Sequence, residues 1–424
     1  MSGQVNRRDE RRTHRFVATL RTLAVLLTLI ALPPAVIFFV MSRPETPPYE
    51  SPSAEYPSEL LDPVVGLYEM AGHERVLVTY SARGGLAMFG LNGTRFSRAD
   101  YLSRSIIPTE DGTFSWKPFD SGAIRTLRLI EDSDRVIGLE WEDDSGPQQA
   151  SRIKSTFSQR EVTWRNGSVR LTGTVFIPDE PPVAGAVILH GSGWSDRDNL
   201  WYLHFAIRLV ESQVAVLLPD KRGSGESEGD WRTSSLAEFS WDGLTGREKL
   251  AEATGLAPKK IGLVGMSQGG SAVAPLASTL TEDLPFIINV SGGNVPMREQ
   301  LVHETYQNLR QMGVPSLFDA FMHPYAMAIA ERKRRSWWEL NGDYDPQPHW
   351  QQSDVPVLVL YGQDDERDNV PVTESVRRFE ALRRDNIAVK VYDGVGHGLF
   401  TPSDREIVPD ALERVVDWVL QSTE

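Results

Sequence analysis

The rhythm of apolar and polar positions changes repeatedly along this chain, and each change predicts a different kind of element. Residues 22–41 read TLAVLLTLIALPPAVIFFVM without a charged side chain, and roughly 20 such residues are what a helix needs to cross a hydrocarbon core. Residues 42–63 turn to Ser, Glu and six prolines, from Pro44 to Pro63; this composition buries little and predicts a stiff spacer. Over 64–155, short runs at 75–80, 86–89, 124–130 and 135–141 carry β-branched and aromatic residues, several with apolar and polar residues alternating. Turn pairs such as Gly84-Gly85, Asn92-Gly93, Asp111-Gly112 and Ser121-Gly122 separate them, which predicts a small antiparallel β domain, a sandwich or a barrel.

Past residue 158 the apolar runs become continuous, at 186–189, 214–218, 261–264, 286–290, 357–360 and 388–391, with helix-length segments between them. Strands of this kind are buried on both faces, so 158–424 is expected to form an α/β domain with a doubly wound, mostly parallel sheet. At about 296–352 the alternation lapses into helical periodicity rich in aromatics, among them Tyr306, Trp337, Trp338 and Trp350. This segment is expected to be a helical cap inserted over the sheet.

Charge gives the apolar run a direction. Residues 1–21 hold six arginines against Asp9 and Glu10, whereas Glu45, Glu50, Glu55 and Glu59 follow the run. The positive-inside asymmetry predicts a cytoplasmic tail over 1–21, a transmembrane signal anchor over 22–41 and everything beyond it outside the cytoplasm. A cleaved signal peptide is the competing reading, but 36–40 stay apolar and no A-x-A site follows. The formal net charge is −14 with the tail at +4, so the body carries −18 and should repel nucleic acid. The chain has no cysteine, which excludes disulfides, thiolate nucleophiles and Cys-based metal sites.

Gly-x-Ser-x-Gly occurs twice, around Ser227 and around Ser267. A nucleophile elbow needs a strand, a tight turn and an immediate helix. Ser267 follows the apolar run 261–264 and precedes a small-residue stretch suited to close helix–sheet packing; Ser227 sits in a polar loop between Glu226 and Glu228. Ser267 is therefore the expected nucleophile. On such sheets the acid and the histidine follow the serine in that order. His397, in the glycine-flanked loop after the last strand, is the expected base, and Asp365, in the loop after 357–361, the expected acid, with Asp364 next. Oxyanion-hole donors are expected from the backbone of Gln268 and from Ser192 in the loop after 186–189, with Gly193 as an alternative.

Two further segments, His190-Gly-Ser-Gly-x-x-Asp196-Arg-Asp198 and Pro219-Asp-Lys-Arg-Gly-x-Gly-x-Ser227, resemble a branch of the α/β-hydrolase superfamily containing carboxylesterases, acyl thioesterases and prolyl-oligopeptidase-like peptidases. The resemblance covers about 158–424 and makes Ser227 a structural loop residue. It implies a serine hydrolase, carboxylesterase-like, acting on a small-molecule acyl substrate through an acyl-enzyme, without metal or cofactor. A peptidase, or a catalytically silent binding protein on the same fold, are the alternatives. The acid loop departs from the pattern by extra residues before Val370-Pro371, which leaves Asp364 and Asp365 both open. Nothing in the sequence indicates an oligomeric state.

Overall fold

The computed structural model describes residues 56–424, apart from 92, 94–100, 119–123, 144–145, 281–282, 314, 316–318 and 404. The expected cytoplasmic tail and transmembrane anchor, and the spacer up to residue 55, lie outside the described residues. Among the described residues no helix is long and apolar enough to cross a membrane. The end of the expected spacer departs from that reading. Helix α1 (Ser58–Leu61) forms a single turn, Leu61 and Val64 are buried, and Tyr80 donates a 2.8 Å hydrogen bond to Asp62. Tyr56, Leu61 and Val64 supply apolar surface enough to pack this turn onto the strands that follow.

Those strands are β1 (Gly66–Met70), β2 (Arg75–Tyr80), β3 (Leu86–Gly90), β4 (Tyr101–Pro108), β5 (Phe114–Pro118), β6 (Arg125–Asp132), β7 (Arg135–Asp143) and β8 (Gly146–Arg152), paired in sequence order as a closed antiparallel barrel. Closure comes from β1 pairing β8, with Tyr68 opposite Arg152 and Met70 opposite Ala150, and it removes the open edges that invite aggregation. Inside lie Val76, Val78, Tyr80, Leu86, Met88, Leu127, Leu139 and Trp141. Strands β2 and β3 are apolar on both faces for a physical reason. Their outward residues Leu77, Ala87 and Phe89 belong to the core that continues into the second domain.

The second domain is an eight-stranded sheet of β9 (Phe157–Asn166), β10 (Val169–Pro178), β11 (Ala184–Leu189), β12 (Val214–Pro219), β13 (Ile261–Met266), β14 (Ile287–Val290), β15 (Val357–Gly362) and β16 (Ile387–Tyr392). The order across the sheet is β16-β15-β14-β13-β11-β12-β10-β9. Strands β11 to β16 are mutually parallel where they pair, and β9 and β10 form an antiparallel hairpin at one edge. On one face pack α2 (Leu200–Val210) and the C-terminal α11 (Pro409–Thr423). On the other pack α3 (Leu236–Thr254), α5 (Ala274–Thr279) and α10 (Val372–Leu382). Strand order turns back between β12, β11 and β13, and in open α/β sheets ligands settle beyond the carboxyl ends of strands at such a point. Over that end lie α6 (Met297–Gln311), α7 (Asp319–Lys333), α8 (Arg335–Asn341) and α9 (Gln347–Gln351), inserted between β14 and β15.

Candidate active site

Ser267 stands between the last residue of β13 and the first residue of α4 (Gln268–Ala272), with φ 54° and ψ −122°. A non-glycine residue in that region carries strain of about 1–3 kcal/mol, held in place by its surroundings. The two glycines of the motif make the turn possible. A Cβ at Gly265 would collide with the Gly269 carbonyl, and one at Gly269 with the Leu189 carbonyl. The serine backbone is fixed by its N–H to the Val290 carbonyl at 2.7 Å, and its carbonyl accepts from Gly270 at 2.8 Å.

His397 and Asp365 arrive from the ends of β16 and β15. His397 Nδ1 lies 2.7 Å from Asp365 Oδ2, and Nε2 lies 3.1 Å from Ser267 Oγ. A carboxylate only accepts, so Nδ1 carries the proton and Nε2 is left to accept from the serine hydroxyl. Asp365 is fully buried and also accepts from the Asn369 backbone N–H at 3.3 Å. Burial of His397 opposes its charging, but the charge and hydrogen bond of Asp365, helped by Asp368 and Glu304, outweigh it and raise its pKa above 6.5. The two loops are tied together by the Asp364 N–H to the Val395 carbonyl at 2.9 Å. Trp201 stacks obliquely on the imidazole, centroids 5.6 Å apart, and its indole N–H donates to the Gly398 carbonyl at 3.1 Å.

Ser192 and Gln268 both line the cavity that Ser267 and His397 face. Gln268 opens α4, so its N–H is among the first four of a helix, which have no intrahelical partner. Between the two loops reaches Lys221, buried at the end of β12. Its ammonium donates to the Gly191 carbonyl at 2.6 Å, the Gly193 carbonyl at 3.3 Å and Gln268 Oε1 at 2.8 Å. One cation thus ties the carbonyls of the two residues beside Ser192 to the side chain of the residue after the elbow. The Ser192 loop is held again by Tyr202, whose hydroxyl accepts from Gly191 N–H at 2.9 Å.

The same loop brings Ser195, His190 and Asp198 near one another, a proximity consistent with a second triad. Their bonds argue for a structural role. His190 Nδ1 is 2.8 Å from Ser195 Oγ, but its Nε2 is 2.6 Å from the Pro219 carbonyl rather than from a carboxylate. Burial pushes the His190 pKa down to about 4. Asp198 is engaged instead by Ser81 Oγ at 3.0 Å and Ala82 N–H at 3.1 Å. The other expected alternatives also fall away from the site. Ser227 Oγ donates to the Asp220 carbonyl at 2.8 Å and accepts from Thr172 N–H at 3.0 Å. Asp364 turns its carboxylate toward Arg367, 3.9 Å away.

A cavity of about 260 Å³ opens on Ser267. Its cap side is one face of α6, at Met297, Gln300, Leu301 and Glu304, the i, i+3, i+4, i+7 spacing that puts side chains on one stripe. Arg334 and Trp337 complete that side, and Arg334 pairs with Glu304 at 3.5 Å. Trp337 and Trp338 also pack with Trp231, Leu236 and Phe239, so the cap aromatics double as its own core. A family model described as "Alpha/beta hydrolase family" matches residues 186–411. The chain belongs to the alpha/beta hydrolase family. No curated protein matches the hydrolase by sequence. Among solved structures it is similar to an esterase from Pyrococcus furiosus, with 19% identity, 62% of this chain and 91% of that chain covered, and a TM-score of 0.47. A proline iminopeptidase from Mycobacterium smegmatis gives 16% identity, 62% and 99% coverage, and a TM-score of 0.45. A dienelactone hydrolase from Anabaena variabilis ATCC 29413 gives 16%, 63%, 99% and 0.43.

Of the residues expected from sequence, the hydrolase brings Ser267, His397, Asp365, Ser192 and Gln268 to one place. Lys221, Trp201 and Ser291 were not expected there. Ser291 takes a left-handed φ of 56°, lines the cavity and accepts from Gly398 N–H at 3.3 Å, which steadies the histidine loop. The signal for Lys221 was present in Pro219-Asp-Lys-Arg-Gly, but a lysine in a polar loop reads as a solvated charge until the loop after β11 is folded across it.

Proposed function

We propose that this hydrolase cleaves esters or related acyl bonds of small molecules, with Ser267 as nucleophile. The observation that carries the reading is the continuous hydrogen-bond chain from Asp365 through His397 to Ser267 at a cavity floor. Ser267 Oγ attacks the acyl carbonyl carbon while His397 Nε2 takes its proton, and the oxyanion is received by the N–H groups of Ser192 and Gln268. Collapse expels the alcohol, which takes the proton from His397. A water then gives its proton to His397 and attacks the acyl-enzyme; the acid leaves as Ser267 recovers its proton. A cavity of about 260 Å³ lies below the usual range of roughly 300–1,000 Å³ for ligand pockets, which favours a short acyl group.

Peptidase activity is a second reading because Glu304 places a carboxylate in the cavity where a peptide ammonium would bind. Its pairing with Arg334 at 3.5 Å offsets that charge and favours the ester reading. The apolar run 22–41 supports the further proposal that the chain is a membrane-anchored enzyme acting outside the cytoplasm. A fluorophosphonate probe tests the chemistry. Labelling of wild type and Ser195→Ala, with none of Ser267→Ala, is the expected pattern; labelling lost in Ser195→Ala and kept in Ser267→Ala would move the nucleophile. Rates on p-nitrophenyl acetate, a short acyl thioester and an aminoacyl p-nitroanilide then separate esterase, thioesterase and peptidase.

A further inference from the structure

The loop that carries Ser192 is fastened from outside its own domain. Strand β4 of the barrel supplies Arg104, whose terminal NH2 nitrogen lies 2.7 and 2.9 Å from the two carboxylate oxygens of Asp196. The β2–β3 turn supplies the Ser81 hydroxyl and the Ala82 N–H to Asp198, at 3.0 and 3.1 Å, and Arg83 to the same carboxylate at 3.4 Å. Arg197, between the two aspartates, returns a bond to the Ser81 carbonyl at 2.9 Å. Both aspartates are buried, so these charges have left water and depend on their partners. Asp196 in turn accepts from the Trp194 indole N–H at 2.9 Å and the Asp198 N–H at 3.2 Å. The chain from Trp194 to Asp198 therefore wraps around a carboxylate that the barrel grips, and Ser192 lies two residues before it.

We propose that the barrel positions the oxyanion hole: Arg104, acting through Asp196, sets the orientation of the Ser192 N–H without touching substrate. This rests on reading Ser192 and Gln268 as the oxyanion donors. Arg104 is then a positioning residue, and its loss has a distinct kinetic form. The hole is filled in the transition state, so its misplacement lowers kcat and leaves KM nearly unchanged. If the barrel only stabilised the fold, loss of Arg104 would lower the melting temperature and the number of titratable sites, but not turnover per site.

The test uses the full chain, with active sites titrated by a fluorophosphonate and turnover of p-nitrophenyl acetate expressed per titrated site. Arg104→Met leaves the buried Asp196 carboxylate with the more distant Arg83, 3.9 Å away, so it is made alone and together with Asp196→Asn, which removes both charges of the pair. One whole oxyanion donor is worth about 10²–10³ in kcat; a displaced donor is expected to cost about 10–100-fold in both variants, with KM within about twofold. The double variant should be no slower than Arg104→Met, because both lose the same Arg104–Asp196 pair and the asparagine keeps an acceptor for Trp194 and Asp198, and Arg104→Lys should recover part of the rate. Wild-type turnover per site in Arg104→Met/Asp196→Asn overturns the inference, whatever its melting temperature. A wild type that neither takes the label nor turns over ester overturns the proposed function itself, and the inference with it; the two failures are thus told apart by the wild type.

Discussion

In the proposed mechanism Asp365 and His397 form a couple whose charge state sets when the enzyme can work. His397 would have to be neutral to accept the Ser267 proton, and Asp365 holds its pKa above 6.5. The sign follows directly: below that pKa the imidazole is charged and idle, so kcat/KM rises with pH through a midpoint above 6.5 and then levels. Asp365→Asn removes the acceptor that fixes the tautomer, and losses of about 10⁴ in kcat attend that change in comparable triads. Steady-state kinetics from pH 5 to 9 measure both, and a variant within tenfold of wild type would count against Asp365. Lys221 makes a prediction of another kind. The bonds of its ammonium to Gly191, Gly193 and Gln268 span both sides of the expected oxyanion hole, so Lys221→Met keeps the length and loses the link. The expected result is a fall in kcat of about 10–100-fold, short of the full cost of a donor, with Ser267 still labelled by the fluorophosphonate. Turnover per labelled site near the wild-type value would reduce Lys221 to a packing residue.

At the scale of elements, the parts of the site that were legible in sequence are those where a strand end coincides with glycine. Ser267 was readable because an apolar strand runs straight into Gly265-x-Ser-x-Gly269, and the glycines are needed there by backbone contact rather than by habit. Gly269→Ala should push its Cβ into the Leu189 carbonyl; overpacking of this kind costs about 1–3 kcal/mol, seen as a lower urea midpoint together with lost turnover. His397 and Asp365 were readable as loop residues after strands; Asp364 and Asp365 both stayed open there, with Asp365 preferred, and it is Asp365 that lies 2.7 Å from His397 Nδ1. The hairpin β9–β10 carried less signal. At the sheet edge β9 buries only Phe157, Val162 and Trp164, and its other positions look like those of a loop. The cap's helical character was visible, but which stripe of α6 faces the serine depends on packing over β13 and β14. Glu304 on that stripe contributes to the raised pKa of His397. Glu304→Gln should therefore move the acid limb of kcat/KM to lower pH, since loss of that carboxylate disfavours the charged imidazole and lowers its pKa. An unmoved limb would place Glu304 too far from the imidazole to matter.

The whole molecule divides into a described body that holds the entire candidate site and an amino-terminal stretch before Tyr56 whose chemistry is read from sequence alone. The body carries the acidic excess, whereas residues 1–21 are at +4 and precede 20 uncharged residues. If that run spans a bilayer, the attachment is hydrophobic rather than electrostatic, and the two respond oppositely to extraction. A peripheral protein held by its arginines leaves the membrane in high salt, because screening shortens the reach of exposed charges to about 3 Å at 1 M. A spanning helix stays through salt and alkaline carbonate and leaves only in detergent. The full chain is expected to follow the second pattern, with esterase activity remaining in the pellet until detergent is added. Orientation is a separate measurement. A protease added outside sealed cells or spheroplasts should remove the catalytic domain, while an epitope placed before Arg7 stays protected. Protection of both would put the site in the cytoplasm and sink the reading of the arginine-rich tail as the inner end.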